Sequence, residues 1–146
     1  MSAHDRDRWN ERHAKCEPLS IAQPDEWLVE ALQLIETTCG TTESRQRTLD
    51  VACGLGHNAI WLAQQGWRSD AVDISTHGLE LARQCAAAND VDVCWIEADL
   101  DKWTPAANAQ LACAQILRSR LFRYHEEWSG YSAISIPNQR LENPAT

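Results

Sequence analysis

The stretch Thr48–Trp67, TLDVACGLGHNAIWLAQQGW, constrains the fold of this chain more than any other. Leu49, Val51 and Ala52 read as a short buried strand, Gly54 and Gly56 as a tight turn, and Ile60, Trp61, Leu62 and Ala63 as an apolar helix face. Glycine has no side chain to hold a ligand off and tolerates positive φ. A turn of this kind therefore brings bare backbone close to a ligand at a helix N-terminus.

The flanking sequence repeats the alternation. Trp67–Ile74 reads as a second strand ending in Asp73, Thr76–Asn89 as a helix with Leu79, Leu81, Ala82 and Cys85 apolar, and Asp92–Ala98 as a third strand. Upstream, Asp25 precedes EWLVEALQLIETTC. There Trp27, Leu28, Ala31, Leu32 and Ile35 recur at helical spacing until Gly40 ends the pattern. Strand and helix alternating with short links is the pattern of an α/β fold, a doubly wound, mainly parallel sheet with helices on both faces. Met1–Cys16 is hydrophilic but carries Trp9 and Arg12, which suits either a surface helix or a flap over a ligand, the surface helix being the expectation. Beyond Thr104 the pattern weakens: Ala106–Tyr124 is helix-like, although Leu111–Leu117 equally suits a fourth strand, and Tyr131–Ile136 a last short one.

Length and charge narrow the function classes. The 146 residues suit a single domain, and a formal net charge of −8 with dispersed acids argues against a sequence-independent nucleic-acid surface. No apolar run approaches the roughly 20 residues that cross a bilayer, and Met1–Pro18 is not signal-like, so the expected address is cytoplasmic, with no membrane partner. The six cysteines form no C-x-x-C pair and the five histidines no metal-ligand spacing. Reduced, largely buried thiols and no metal site are expected.

The turn alone does not choose its ligand. Gly54-Leu55-Gly56-His57-Asn58-Ala59 satisfies the G-x-G-x-x-A form of a dinucleotide site, and Asp73 at the end of the second strand is placed to accept from two ribose hydroxyls. NAD and S-adenosylmethionine both own such a ribose. The residues that discriminate are Leu49–Gly56 with Asp50 inside the strand, then Val72-Asp73-Ile74-Ser75, then Glu97-Ala98-Asp99-Leu100. In this order they resemble the first three motifs of class I S-adenosylmethionine-dependent methyltransferases. DVACGLGHNAIWLA with its Gly-Trp turn and AVDIS is similar, more narrowly, to the small tellurite-resistance-type branch. That branch tends to begin with a W-x-x-R-Y-like segment, matched by Trp9-Asn10-Glu11-Arg12-His13 with His in place of Tyr.

The resemblance implies a Rossmann-like fold and a cofactor, S-adenosyl-L-methionine, whose methyl group passes to a small-molecule acceptor. It implies that Ala52, Gly54 and Gly56 admit the methionine part, and that Asp50 lies under the turn with Asn58 following it. Asp73 would bind the ribose and Ile74 the adenine face, while Asp99 would accept from the adenine amino group and Leu100 flank the ring. No catalytic residue is assigned. His57 and His13 are candidates by position only. The expected organisation is one domain over 1–146, with a flap and linker at 1–24, a cofactor-binding core at 25–103 and an atypical part at 104–146. In this last part the fourth-strand aspartate and the Pro-Gly-Gly turn of the family are missing, so the sheet is expected to be incomplete relative to the seven-stranded fold and to favour homodimerisation through an open edge. The alternatives are a cofactor-binding remnant or interaction domain without activity, and an NAD-binding oxidoreductase module.

Overall fold

A computed structural model of the protein describes residues 3–39, 47–104, 111–114 and 132–133. The elements follow in the order α1 (Ala3–His13), α2 (Glu26–Cys39), β1 (Arg47–Val51), α3 (His57–Gln64), β2 (Arg68–Asp73), α4 (Thr76–Ala88), β3 (Val93–Glu97), β4 (Leu111–Ala114) and β5 (Ser132–Ala133). The segment Ala106–Tyr124, which suits a helix or, over Leu111–Leu117, a fourth strand, lies largely outside the described residues; its described part, Leu111–Ala114, is strand.

The five strands form one sheet in the order β3-β2-β1-β4-β5. Every pairing is parallel, with Val51 opposite Val72 and Ala114, and Asp73 opposite Glu97. Parallel neighbours require crossovers, and two successive β-α-β crossovers of one hand set α3 and α4 on the same face. The chain builds outward from β1 through β2 to β3, then returns to the other side of β1 as β4. That reversal is the point at which open α/β sheets bind ligands, outside the carboxyl ends of the strands.

Burial follows position in the sheet. Thr48, Leu49, Asp50 and Val51 of central β1 are all buried, whereas β3, paired only with β2 among the described residues, is half-exposed and ends in exposed Glu97. Beneath the sheet Cys53, Ala59, Ala71 and Leu79 pack together with Val93 and Trp95 alongside. A second cluster joins Ile60 of α3 to Cys85 and Ala86 of α4, and Ala22 from the segment before α2 closes it. Leu28 and Leu32 of α2 meet Leu62 of α3, rimmed by Trp27, Trp61 and Trp67. Several of the seven tryptophans thus serve as large anchors for a small core. The cysteines divide: Cys53 and Cys85 are buried, where burial pushes the Cys85 thiol pKa up, but Cys94 is exposed on the edge strand. The expectation of largely buried thiols fails there, where β3 has one neighbour among the described residues.

Candidate functional site

Three backbone positions at the turn take positive φ: Ala52 at 58°, Gly54 at 56° and Gly56 at 76°. An L-residue with a β-carbon pays about 1–2 kcal/mol for the left-handed region, and such strain collects at functional sites. Ala52 therefore marks the turn as over-determined by its surroundings. Asp50 supplies part of that, its Oδ2 accepting the Ala59 amide at 3.2 Å and tying the end of β1 to the first turn of α3. Asp73 supplies more: Oδ2 accepts from the Gly54 amide at 2.9 Å and Oδ1 from the Ser75 amide at 2.8 Å. Each oxygen keeps a lone pair, so a buried carboxylate held at both ends can still accept from a diol.

The two glycines do different work. A β-carbon on Gly56 would stand 2.5 Å from Cη2 of Trp95, so its bareness serves the packing of α3 on the sheet. Gly54 faces His13, whose Nε2 would lie 3.8 Å from a β-carbon there. The reading of both as simple openings for a ligand is thus refined: Gly56 is bare for close helix–strand approach. Asn58 is engaged elsewhere too. Its Oδ1 accepts the Asp25 amide at 2.9 Å and its Nδ2 donates to Asp25 Oδ2 at 2.8 Å, pinning the start of α2 to α3. His57, at 3.5 Å from the same carboxylate, belongs to that cluster rather than to the turn.

A cavity of about 470 Å³ opens past the ends of β2 and β3. Ile74, Ala98, Asp99 and Trp103 line it from the sheet side, with Glu97 and Lys102 at its rim, and Ala3 and Arg6 of α1 close it from above. Asp99 is held in a short turn, its Oδ1 accepting from the Asp101 amide at 3.0 Å, while its carbonyl accepts from Lys102 and Trp103 at 2.9 Å each. Leu100 is buried in the core and does not line the cavity. The structure thus brings Asp73, Ile74 and Asp99 to one side of the molecule and sets Asn58 and Leu100 apart. An apolar slot with a carboxylate at its edge, beside a second carboxylate at the turn, fits a nucleoside.

The polar helix α1 crosses this site, where it had been expected to lie on the surface. Asn10 Oδ1 accepts from the Ser75 hydroxyl at 2.8 Å and from the His77 amide at 3.1 Å, and His13 Nδ1 is 2.8 Å from Ser75 Oγ. Ser75 is also the N-cap of α4, accepting from the Gly78 amide at 3.0 Å. Arg6 reaches Glu97 at 3.8 Å across the cavity mouth, a weak exposed pair. Trp103, Ser75, Asn10 and Arg6 were not among the expected site residues. A signal for α1 did exist, in the Trp9–His13 segment.

Comparison with known proteins decides the family. The family model of the methyltransferase domain matches residues 48–128, more than half of the chain. The chain belongs to the methyltransferase domain family. Among curated proteins, the S-adenosyl-L-methionine-dependent Diels-Alderase iccD of Talaromyces variabilis is 48% identical over 40 residues, 27% of this chain and 14% of that protein. Solved structures show the same fold. One, from work on the conversion of a disulfide bond into a thioacetal group during echinomycin biosynthesis, superposes with a TM-score of 0.60 at 22% identity, over 78% of this chain and 48% of that one. TehB from Haemophilus influenzae gives 0.58 at 15% identity, over 71% and 36%. A methyltransferase from Thiobacillus denitrificans, solved with S-adenosyl-L-homocysteine, gives 0.52 at 20% identity, over 70% and 40%. This methyltransferase domain therefore spans less than half of each of these four proteins.

Proposed function

We propose that this chain is the cofactor-binding part of an S-adenosyl-L-methionine-dependent methyltransferase whose acceptor is a small molecule. One observation carries the reading: Ile74 and Asp99, which follow two adjacent parallel strands, line one cavity, and Asp73, the last residue of β2 and the neighbour of Ile74, holds the strained turn at Ala52–Gly56 through the Gly54 amide. The family match and the cofactor named for the iccD and Thiobacillus proteins support it. The likeness to TehB supports the narrower branch.

In this reading the ribose diol sits on the lone pairs that Asp73 retains, and adenine enters the slot between Ile74 and Trp103 with its amino group toward Asp99. The bound sulfonium supplies an electrophilic methyl group. What the protein adds is alignment: donor and acceptor held in line lose less freedom on the way to the transition state, and a general base is needed only if the acceptor must lose a proton. We place the cofactor-binding core at 25–103 and extend the site to α1. We further infer that β3, half-exposed and with one described neighbour, offers an edge for homodimerisation.

A second reading is a domain that binds the cofactor without turnover; among the described residues the cavity is lined from the ends of β2 and β3 and from α1. Titration calorimetry with S-adenosylhomocysteine and with NAD tests the first step. Saturable heat with the former and none with NAD is the expected result; the reverse would return the chain to the oxidoreductase class. Transfer of labelled methyl to a panel of small acceptors then separates turnover from binding alone.

A further inference from the structure

The Asn10–His13–Ser75 cluster joins α1 to the residue that follows the Asp73-Ile74 pair, and its hydrogen bonding fixes one proton. The Ser75 hydroxyl has a single hydrogen, donated to Asn10 Oδ1 at 2.8 Å, and its oxygen accepts from the Gly78 amide at 3.0 Å. The 2.8 Å contact with His13 Nδ1 must therefore be a donation from the ring. His13 stands as the Nδ1–H tautomer, and its remaining lone pair is on Nε2. That atom makes no hydrogen bond among the described residues and lies over Gly54, although the residue is only 7% exposed. A second glycine makes room for the ring: a β-carbon on Gly78 would stand 2.5 Å from Nδ1. The imidazole is thus wedged between the turn and α4 by shape and by bonding, with one acceptor, Nε2, left over beside Gly54.

We propose that Nε2 of His13 is a ligand acceptor of the nucleoside site, receiving a hydrogen bond from a donor group of the bound cofactor, either a ribose hydroxyl or the α-ammonium. The inference rests on the cofactor reading above and adds to it a residue from α1 that none of the strand-end motifs contains. A ligand donor would give the Nε2 lone pair the hydrogen-bond partner that it lacks among the described residues. It also makes α1 a reporter of occupancy, joined to the site through His13 and over its mouth through Ala3 and Arg6. A protonated ring cannot accept, so binding must weaken in acid. Facing the ring are Asp73 from β2, Arg12 on α1 itself and His77 on α4. Burial pushes its pKa below the ordinary histidine value, Asp73 opposes this, and Arg12 and His77 add to it.

The test is calorimetry of the full chain with S-adenosylhomocysteine between pH 5 and pH 8, for the parent protein and for His13→Gln and His13→Phe. Gln offers a non-titrating acceptor and Phe none. The parent affinity is expected to be flat above neutrality and to drop by about tenfold per pH unit once the ring protonates, His13→Gln to bind with little pH dependence, and His13→Phe to bind at least tenfold more weakly throughout. 5′-Methylthioadenosine distinguishes the sources: it keeps the ribose and lacks the ammonium, so pH dependence retained with it assigns the hydroxyl and pH dependence lost assigns the ammonium. Parallel profiles for the parent and His13→Gln would overturn the proposal while leaving the cofactor reading intact. Absence of any binding by the parent would overturn both. If a variant does not fold, ring titration of His13 by NMR in the parent decides: its pKa must fall when S-adenosylhomocysteine is added, and an unchanged value overturns the proposal.

Discussion

At the scale of single residues, the site depends on carboxylates that are already bound to backbone. Asp73 holds the Gly54 and Ser75 amides, so it shapes the turn, and in the proposed reading its remaining lone pairs take the ribose. Asp73→Ala is expected to weaken S-adenosylhomocysteine binding by roughly 1–3 kcal/mol through loss of charge-assisted hydrogen bonds. Calorimetry on a variant shown by circular dichroism to be folded checks it. His13 gives a stability signature as well. Its folded pKa lies below the ordinary value of about 6.5, so between the two values the unfolded chain binds more protons and stability rises with pH. The contribution of the neutral ring is complete above the unfolded pKa and is lost as pH falls from there through the folded one. Urea midpoints should decline over that window in the parent and decline less in His13→Gln.

At the scale of elements, what was legible in the sequence is what local chemistry dictates. The β1–turn–α3 unit could be read because Gly54 and Gly56 punctuate an apolar strand and an apolar helix face, and α2 because Leu28 and Leu32 fall on one stripe. The position of α1 could not be read. It is polar nearly all round, and what seats it is the tertiary contact of Asn10 and His13 with Ser75, some sixty residues away. Trp103 escaped for a similar reason, since nothing local distinguishes a tryptophan lining a cleft from one anchoring a core, as Trp61 does. The resemblance groups Asn58 with the cofactor loop, yet its carboxamide joins α3 to α2 through Asp25. Asn58→Ala should therefore cost about 1–3 kcal/mol of stability, as two part-buried hydrogen bonds to Asp25 are lost, and change nucleoside affinity less than threefold. Gly56→Ala belongs at this scale too. Its β-carbon would meet the Trp95 ring at 2.5 Å on a backbone already at φ 76°, so a loss of about 2 kcal/mol is expected in denaturant unfolding.

At the scale of the whole molecule, the question is how an open sheet keeps its ligand end ordered. The described core is strongest around β1, where both faces are covered, and thins toward β3, the edge that carries Glu97 to the cavity. The cavity lies on the thin side, between the ends of β2 and β3 and the separately seated helix α1, and the proposed reading puts the cofactor there. A ligand that bridges these pieces binds the folded state and not the unfolded chain, so it stabilises the whole by mass action. At a free concentration one hundred times its dissociation constant the gain is about 2.7 kcal/mol for one site. S-adenosylhomocysteine should raise the urea midpoint with an unchanged slope, because the surface exposed on unfolding is the same. Hydrogen exchange then locates the gain: amides of Ala3–His13 and of β3 are expected to slow most, and those of β1, already the deepest buried, to slow only as far as global stability rises. Equal protection everywhere would mean that the site lies within the core rather than bridging the core to α1.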